Sequence, residues 1–431
     1  MTMKNAQVSN EIRTRSRSLR LKEAVIASFW EPAPSLRARF AEFSVADWRR
    51  ILNWLDVSGL ALYLFDNLRC LGLMDCLPSA ILWRLRRNLA ENRERTDFLF
   101  NEAAAVSDSL RKKGIAFALL KGVTLPSESV SDPSLRCQAD LDILVHASDG
   151  PRVQRCLRVH GYELDVISGP TWEFKAGTAG LSTIKDIYRI RAERSIDLHL
   201  LPENIHAHAP LSWTDRLDRA QVRSIQGVPI PALSPADIFV QQAVHLFKHM
   251  CSEHTRASWV LEFWRHICAR RHDKTFWCLV EAVASIEPQA NLAIGASVLL
   301  TSLVFGPCAP EQLACWSLDR LPPAVCLWIQ MYGRYTLLSD NPRSKLYLLL
   351  LRQLRPDSPA ERTARRRLIF PCHMPQRVTR GEENERFASQ LLRYSAQVRF
   401  AFIRLRFHTA EGLRFGFESI RWHRRLAEVT Q

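Results

Sequence analysis

The 431-residue sequence contains no uninterrupted apolar run of the ~20 residues that a membrane-spanning helix requires. The most apolar stretch, residues 292–305, is shorter and is interrupted by glycine, serine and threonine, a pattern that favours a buried helix. The first 25 residues are polar and basic and include no apolar core of a signal peptide, so we expect no secretory signal. These absences argue against a membrane-spanning or secreted protein.

Paired cysteine motifs and nucleic-acid signatures are also missing. The 11 cysteines are scattered singly without a C-x-x-C pair, and an odd number cannot pair fully within one chain. We therefore expect reduced thiols in a cytoplasmic protein, most of them acting as small core residues. No RNP-like, zinc-finger or helix-turn-helix signature supports sequence-specific binding of nucleic acid.

The composition is that of a soluble globular protein, with 47% hydrophobic and 24% charged residues. The length suggests two to three domains. The net charge of +15 is concentrated near the C-terminus, because residues 341–431 hold 19 of the 59 lysines and arginines but 8 of the 44 acidic residues. This excess predicts either an anionic partner, such as nucleic acid, a phosphosugar or a membrane surface, or a solvated arginine-rich helical surface.

Hydrophobic periodicity and turn residues divide the chain into six segments. We predict a disordered N-terminus (1–20), an N-terminal helical region (21–114), an α+β core (115–232), a helical domain (233–354), a Pro/Arg-rich linker (355–383) and a basic C-terminal helix (384–431).

The stretch 116–145 is the part of the core with the clearest chemical pattern. Its apolar run Phe117–Leu120 has the length and flanks of a buried strand. A sharp turn follows at Lys121 and Gly122, where we expect Gly122 to supply the backbone freedom. Such a turn leaves amide N–H groups and the Lys121 ammonium available to an anion.

Two aspartates follow in the next predicted strand. Asp140 and Asp142 are two residues apart, so they project from the same face and repel one another. A divalent cation with hard oxygen ligands, Mg²⁺ or Mn²⁺, would remove that repulsion. Residues 195–200 form a further alternating strand with Asp197 and His199 on one face. Strands are also predicted at 162–166 and 182–190, and a hairpin at 222–230.

These motifs together resemble a known family. They are the Leu-Lys-Gly turn, Arg136 ahead of the Asp-Leu-Asp strand, the Gly161–Tyr162 pair and the Asp197–His199 run. The pattern, from about 117 to about 267, resembles uncharacterised bacterial nucleotidyltransferases of the DNA polymerase β-like superfamily. The resemblance implies an α+β fold, with a small mixed β-sheet core flanked by N-terminal and C-terminal helical regions. It also implies an enzyme that transfers a nucleoside monophosphate from an NTP to an acceptor hydroxyl or phosphate.

The resemblance further implies which residues form the site. Two Mg²⁺ or Mn²⁺ ions would be held by three carboxylates, and the phosphates by the turn and the arginine. The implied catalytic and metal residues are Asp140, Asp142 and Asp197, and the implied phosphate-binding residues are Lys121, Gly122, Thr124 and Arg136.

The chain departs from the superfamily at the phosphate-binding turn. The usual Gly-Ser or Gly-Gly pair is replaced by residues 121–124, Lys-Gly-Val-Thr. A second hypothesis is therefore a non-catalytic binding protein with the same fold. A third is a binder of nucleic acid or another anionic surface through the basic C-terminal part. The acceptor and the oligomeric state do not follow from the sequence.

Alternatives remain for several of these side chains. Asp197 could instead form a salt bridge with Arg194, and Asp186 is the runner-up for the third carboxylate. Arg136 could be a surface residue that pairs with Asp132.

Three histidines are candidate pocket residues. His199 is a candidate pocket group, base or metal ligand, or a structural residue. His245 and His249 lie one helical turn apart, but Leu246 stands where the zinc-metalloprotease pattern has glutamate. We therefore consider them for a pocket role or for packing. Glu262, on the next predicted helix, has an open role.

Overall fold

The secondary structure was obtained from a computed structural model. It describes residues 16–177, 186–201, 216–225, 227–287, 289–339, 343–355, 358–371 and 387–430. The strands are β1 Phe117–Leu120, β2 Asp140–His146, β3 Glu163–Ser168, β4 Thr171–Ala176, β5 Arg194–Leu201, β6 Gln221–Ile225 and β7 Val228–Ala232.

The helices lie before, between and after these strands. They are α1 (residues 16–27), α2 Ala33–Ala41, α3 Val45–Val57, α4 Ala61–Cys70, α5 Ser79–Lys112, α6 Gly150–Val159, α7 Pro235–Met250, α8 Ala257–Ala269, α9 Lys274–Ile286, α10 Ala290–Phe305, α11 Glu311–Ser317, α12 Pro323–Trp328, α13 Arg334–Leu338, α14 Tyr347–Leu354, α15 Pro359–Ile369 and α16 Phe387–Thr430.

The strands form one mixed sheet in the order β3-β4-β5-β2-β1-β7-β6. The β2–β5 and β1–β7 pairs are parallel, and the other neighbours are antiparallel. The predicted α+β class with a mixed sheet and flanking helices is therefore confirmed.

Period-two alternation gives the sheet two different faces. One face is apolar and packs against α5 and α6, with Leu141, Ile143 and Ile196 in its core. Asp142 projects from the opposite face, where Leu144 packs near Ile238 of α7. Because the apolar side chains are buried on the first face, the aspartates lie on the second face.

The helices on either side of the sheet in sequence share one hydrophobic core. Side chains of α1–α5 and of α7–α14 belong to the same buried cluster. The Trp54 indole of α3, for example, donates a hydrogen bond to the Leu337 carbonyl of α13 at 2.8 Å. Segments that the sequence places in two helical regions thus stabilise one another, and their boundaries as domains stay predictions.

The structure differs from the sequence-based prediction at several elements. Residues 16–20 are helical in α1, and residues 1–15 lie outside the described part of the chain. The predicted linker contains α15, whose first turn is capped by the Ser358 side chain. Strand β4 was not predicted. Of the predicted strand at 182–190, residues 186–190 form no strand, and residues 182–185 lie outside the described part of the chain. Both missed elements have local signals, a serine N-cap followed by proline in α15 and an alternation of polar and apolar residues in β4.

None of the helices among the described residues is long and apolar enough to cross a membrane. The ten cysteines that the structure describes carry free thiols.

A buried histidine lies in the helical core. His266 of α8 is 1% exposed, and its Nδ1 donates to Gln242 Oε1 at 3.0 Å. Its ring packs edge-on against Phe239, with ring centroids 5.2 Å apart. Burial lowers the pKa of His266 to about 3.

This lowered pKa predicts acid sensitivity. Between about pH 6.5 and pH 3 the unfolded chain binds a proton on His266 that the folded chain does not, so folding stability falls as the pH falls. From pH 7 to pH 5 the loss is about 2 kcal/mol. Urea unfolding at pH 7 and pH 5 should show this loss of unfolding free energy in the wild type. In His266→Gln the loss between the two pH values should be about 2 kcal/mol smaller. The exposed His272→Gln variant is the matched control. An equal loss in all three proteins would contradict the prediction.

Candidate functional site

The parallel pairing of β2 with β5 brings together the acidic strands predicted from the sequence. Asp142 is opposite Asp197 in the register, and His199 lies two residues further along the same face. The ligand atoms of Asp142, Asp197 and His199 all lie within 4.8 Å of one another. The cluster is therefore two carboxylates and an imidazole, and Asp140 is not one of its three members.

Asp142 is the most tightly held member of the cluster. It is 3% exposed, and its Oδ1 contacts both Lys121 Nζ and, at 2.8 Å, His199 Nε2. Burial acts to raise the pKa of Asp142, but the hydrogen bond from His199 and the charge of Lys121 outweigh it and leave that pKa lowered. Thr171 Oγ1 lies 3.3 Å from the other ring nitrogen of His199. Asp142 is thus ionised and hydrogen-bonded.

Asp140 and Asp197 have the opposite electrostatic environment. Burial, followed by the charge of Asp142, raises the pKa of Asp140. Burial and the charges of Asp142 and Asp140 raise the pKa of Asp197 to about 6. The site therefore has more negative charge than its neighbouring cations neutralise. A divalent cation would relieve this excess, and carboxylate oxygens suit Mg²⁺ or Mn²⁺, so the donor set fits such an ion.

The bend after β1 differs from the prediction. The left-handed residue is Lys121, with φ of 54°, and not Gly122. Gly122 is needed for a different reason, because a Cβ at this position would overlap Gln138 Oε1 and Arg136 Nη1. Glycine thus permits the close approach of the loop that precedes β2.

Thr124 closes the same turn. Its side chain is buried, and its Oγ1 donates to the Lys121 carbonyl at 3.1 Å. The hydroxyl that the sequence assigns to phosphate binding therefore has a hydrogen bond within the turn.

Arg136 pairs with a residue that is distant in sequence. Its Nε lies 3.2 Å from both carboxylate oxygens of Glu262 on α8. The Tyr63 hydroxyl of α4 donates to the same carboxylate at 2.8 Å. The alternative of a surface Arg136 that pairs with Asp132 is wrong, since the largely buried Arg136 side chain pairs with Glu262. Glu262 thus joins the sheet to both helical segments.

The positions of Arg194 and Asp186 exclude both alternatives for the third carboxylate. Arg194 pairs with Glu102 and not with Asp197. Asp186 lies outside the strands, and its carboxylate is 3.3 Å from Arg189. Asp197 is therefore the carboxylate that the sheet places beside Asp142.

His245 and His249 lie on α7 and pack against Trp259. Both rings contact the Trp259 indole, with centroids 4.9 and 4.3 Å apart. Burial lowers the pKa of His245 well below its ordinary value and that of His249 to about 4, so both are neutral at neutral pH. Neither histidine belongs to the group of potential metal ligands found among the described residues.

A cavity is bordered by Lys121, the residue that contacts Asp142. It encloses about 380 Å³, including its opening to solvent, and the Arg136–Glu262 pair contributes to its wall. The lining residues are Lys121, Leu125, Arg136, Ile238, Gln241, Gln242, His245, Trp259 and Glu262. The Lys121 side chain thus borders both the acidic cluster and an open space.

Comparison with known proteins agrees with this arrangement. Residues 44–306, which span the whole sheet, α7 and α8, match the family described as uncharacterised nucleotidyltransferase. The chain belongs to this nucleotidyltransferase family. No curated protein matches it.

Two solved structures are similar to part of this nucleotidyltransferase. The antibiotic-resistance factor ANT(2'')-Ia is 11% identical to this chain, with a TM-score of 0.29. The match covers 42% of this chain and 88% of ANT(2'')-Ia. An antigenic nucleotidyltransferase-like protein from Paracoccidioides brasiliensis is 13% identical to this chain, with a TM-score of 0.28. The match covers 46% of this chain and 93% of that protein. Scores this low add nothing to the family assignment.

Several site residues were missed by sequence reasoning. Trp259, Gln241 and Gln242 line the cavity, and no sequence motif singled them out. Glu173 of β4 lies directly opposite Asp197 in the antiparallel register. The alternation of residues 171–176 is a signal that would have revealed this strand. For the glutamines no local signal exists, because their position depends on the packing of α7.

The bend of this nucleotidyltransferase can be tested by adding one methyl group. Gly122→Ala should lower the free energy of unfolding by roughly 1–3 kcal/mol, because the Cβ displaces the ends of Gln138 and Arg136, which are held by the Asp140 carbonyl and by Glu262. The control is Gly416→Ala in α16, where nothing lies within 4 Å of the added Cβ. There we expect stabilisation of up to about 1 kcal/mol. Urea unfolding measures both, and equal stability of the two variants would refute the close approach.

Proposed function

We propose that this nucleotidyltransferase moves a nucleoside monophosphate from an NTP to an acceptor hydroxyl or phosphate in a metal-dependent reaction. One observation supports this above all: Asp142, Asp197 and His199 converge on one face of the sheet beside Lys121. An excess of negative charge in a partly buried cluster has no use in folding, whereas it is what a cation-dependent phosphate site requires.

In this proposal Asp142 and Asp197 hold the cation, His199 completes or orients the set, and Asp140 adds negative charge beside it. A divalent cation bound there would act as a Lewis acid for the phosphate oxygens. Once Asp142 binds a cation, Lys121 is no longer needed as its counter-charge. The Lys121 ammonium and the amides of the turn would then pair with the phosphates of the NTP.

The transfer step is a displacement at the α-phosphorus. The acceptor oxygen forms the new bond, the anhydride bond between the α- and β-phosphates breaks, and pyrophosphate leaves with the bonding electrons. The acceptor proton is released to solvent. The chain contributes by holding the two substrates in line, which lowers the entropic cost of the reaction.

We place the acceptor in the cavity beside Lys121. The Arg136 and Glu262 charges in its wall compensate one another. Recognition therefore depends on the Trp259 ring and on amide groups. The Gln242 Nε2 atom is buried and has no hydrogen-bond acceptor among the described residues. It is available to donate to a bound molecule, which favours an acceptor with a ring and oxygen substituents.

The metal assignment predicts loss of binding in Asp142→Asn and Asp197→Asn. We expect the affinity for Mn²⁺ to fall at least about 100-fold, since even indirect partners of a metal ligand contribute 10–100-fold. Titration calorimetry with Mn²⁺ alone and with Mn²⁺ and each of the four NTPs measures this without knowledge of the acceptor. The exposed Asp97→Asn on α5 is the control.

The outcomes of this titration separate the hypotheses. Unchanged Mn²⁺ and nucleotide binding in both site variants would refute the proposed site. Mn²⁺ binding by the wild type without heat from any NTP would favour the non-catalytic binding protein.

The acceptor assignment predicts a selective defect in Trp259→Ala. This variant should bind Mn²⁺ and NTP as the wild type does, but release pyrophosphate more slowly with an acceptor found by screening. Loss of one stacking contact corresponds to a rise of roughly 5- to 150-fold in the acceptor KM. Trp83→Ala, at a 62% exposed position on α5, is the control. Loss of NTP binding in Trp259→Ala would instead assign the cavity to the nucleotide.

A further inference from the structure

The contacts that attach the 44-residue helix α16 to the protein include the Arg404–Glu253 ion pair at 3.2 Å and the buried Phe407 side chain. The Trp422 side chain is fully buried in the helical core. The Glu411 carboxylate is 6% exposed and accepts hydrogen bonds from Ser344 Oγ at 3.0 Å and from the Lys345 N–H at 3.2 Å. These contacts hold α16 in place and position its first half.

That first half presents an apolar stripe to solvent. From Phe387 to Ile403, all described, no side chain is buried. Large apolar residues recur at steps of three or four, the spacing of one helix face. They are Phe387, Leu391, Tyr394, Val398, Phe402 and Leu405, each at least 61% exposed. Six such side chains in one line are a contiguous patch, not the scattered exposure that is normal for a surface.

The charges beside this stripe have one sign. The segment Phe387–Ala410 contains four arginines and no aspartate or glutamate. Arg399 and Arg406 are exposed and seven residues apart, so they lie on one line along the helix beside the stripe. Arg404 is paired with Glu253, so the exposed Arg399 and Arg406 supply the positive charge beside the exposed hydrocarbon.

We propose that the first half of α16 binds the surface of an anionic lipid bilayer. In an interfacial helix the apolar face enters the boundary between headgroups and acyl chains, while arginines along the polar face pair with anionic headgroups. The proposal is independent of the nucleotidyl-transfer chemistry.

The two other candidate partners fit these residues less well. A nucleic-acid backbone would pair with the arginines but would leave Phe387, Leu391 and Val398 in water. A second copy of the chain would cover the stripe, but its segment Phe387–Ala410 would offer no acidic side chain to Arg399 and Arg406. Only a surface that is both apolar and negatively charged matches both features.

The test is flotation of the full-length protein with vesicles of phosphatidylcholine alone or with one third phosphatidylglycerol. We expect binding to the anionic vesicles, weakened by high salt, and no detectable binding to the neutral ones. Two variants examine the two features. One combines Leu391→Gln, Val398→Gln and Phe402→Gln, and the other combines Arg399→Glu with Arg406→Glu. Each should reduce binding at least about tenfold, since one arginine near such a surface contributes about fivefold.

Matched controls replace exposed residues elsewhere. Val159→Gln, Val222→Gln and Leu279→Gln together remove three exposed apolar side chains outside α16. Arg49→Glu with Arg86→Glu reverses two exposed arginines on α3 and α5. Both control proteins should bind as the wild type does.

Four results would overturn the proposal. The first two are no binding to anionic vesicles and binding to neutral vesicles as strong as to anionic ones. The third is a loss of binding in the control variants equal to that in the α16 variants. The fourth is a wild-type mass in sedimentation equilibrium that is twice the monomer mass and returns to the monomer mass in the apolar variant. A gel shift with nucleic acid that the apolar variant retains, in a protein that does not float with vesicles, would assign the arginines to nucleic acid instead.

Discussion

The register between β2 and β5 is the constraint on which the candidate site depends. It places Asp142 opposite Asp197 and brings His199 to the same face. A slip of one residue would turn Asp197 toward the apolar core and Ile196 toward the site. The buried residues Leu141, Ile143 and Ile196 on the other face prevent that slip. The hydrophobic core of the sheet thus sets the chemistry of its polar face.

The charges around the site are compensated unevenly. Asp142 is paired with Lys121 and His199, whereas Asp140 and Asp197 retain raised pKa values because burial and mutual repulsion disfavour their ionised forms. This contrast is what the proposed cation site requires. In a structural network the pairs satisfy one another, as Arg136 and Glu262 do nearby.

The buried Arg136–Glu262 pair has a mainly positional role. Burial of two charges costs desolvation energy that their attraction about offsets, so such a pair specifies geometry more than it adds stability. Here it connects the loop before β2 to α8, and Tyr63 connects the same carboxylate to α4. The wall of the cavity is therefore fixed relative to the sheet by hydrogen bonds from three segments of the chain.

The sequence alone determined the local features: the strand nature of β1, β2 and β5, the shared face of Asp140 and Asp142, the helix-flanked α+β class, and the family pattern. Alternation and turn residues depend on neighbours in the chain, so they can be inferred without coordinates. Only the tertiary structure decided that His199 belongs to the cluster and that Asp140 does not. It also decided that Arg136 pairs with Glu262, 126 residues away. Those contacts result from strand register and helix packing, in which burial of apolar surface selects among many arrangements that local propensity leaves equally open.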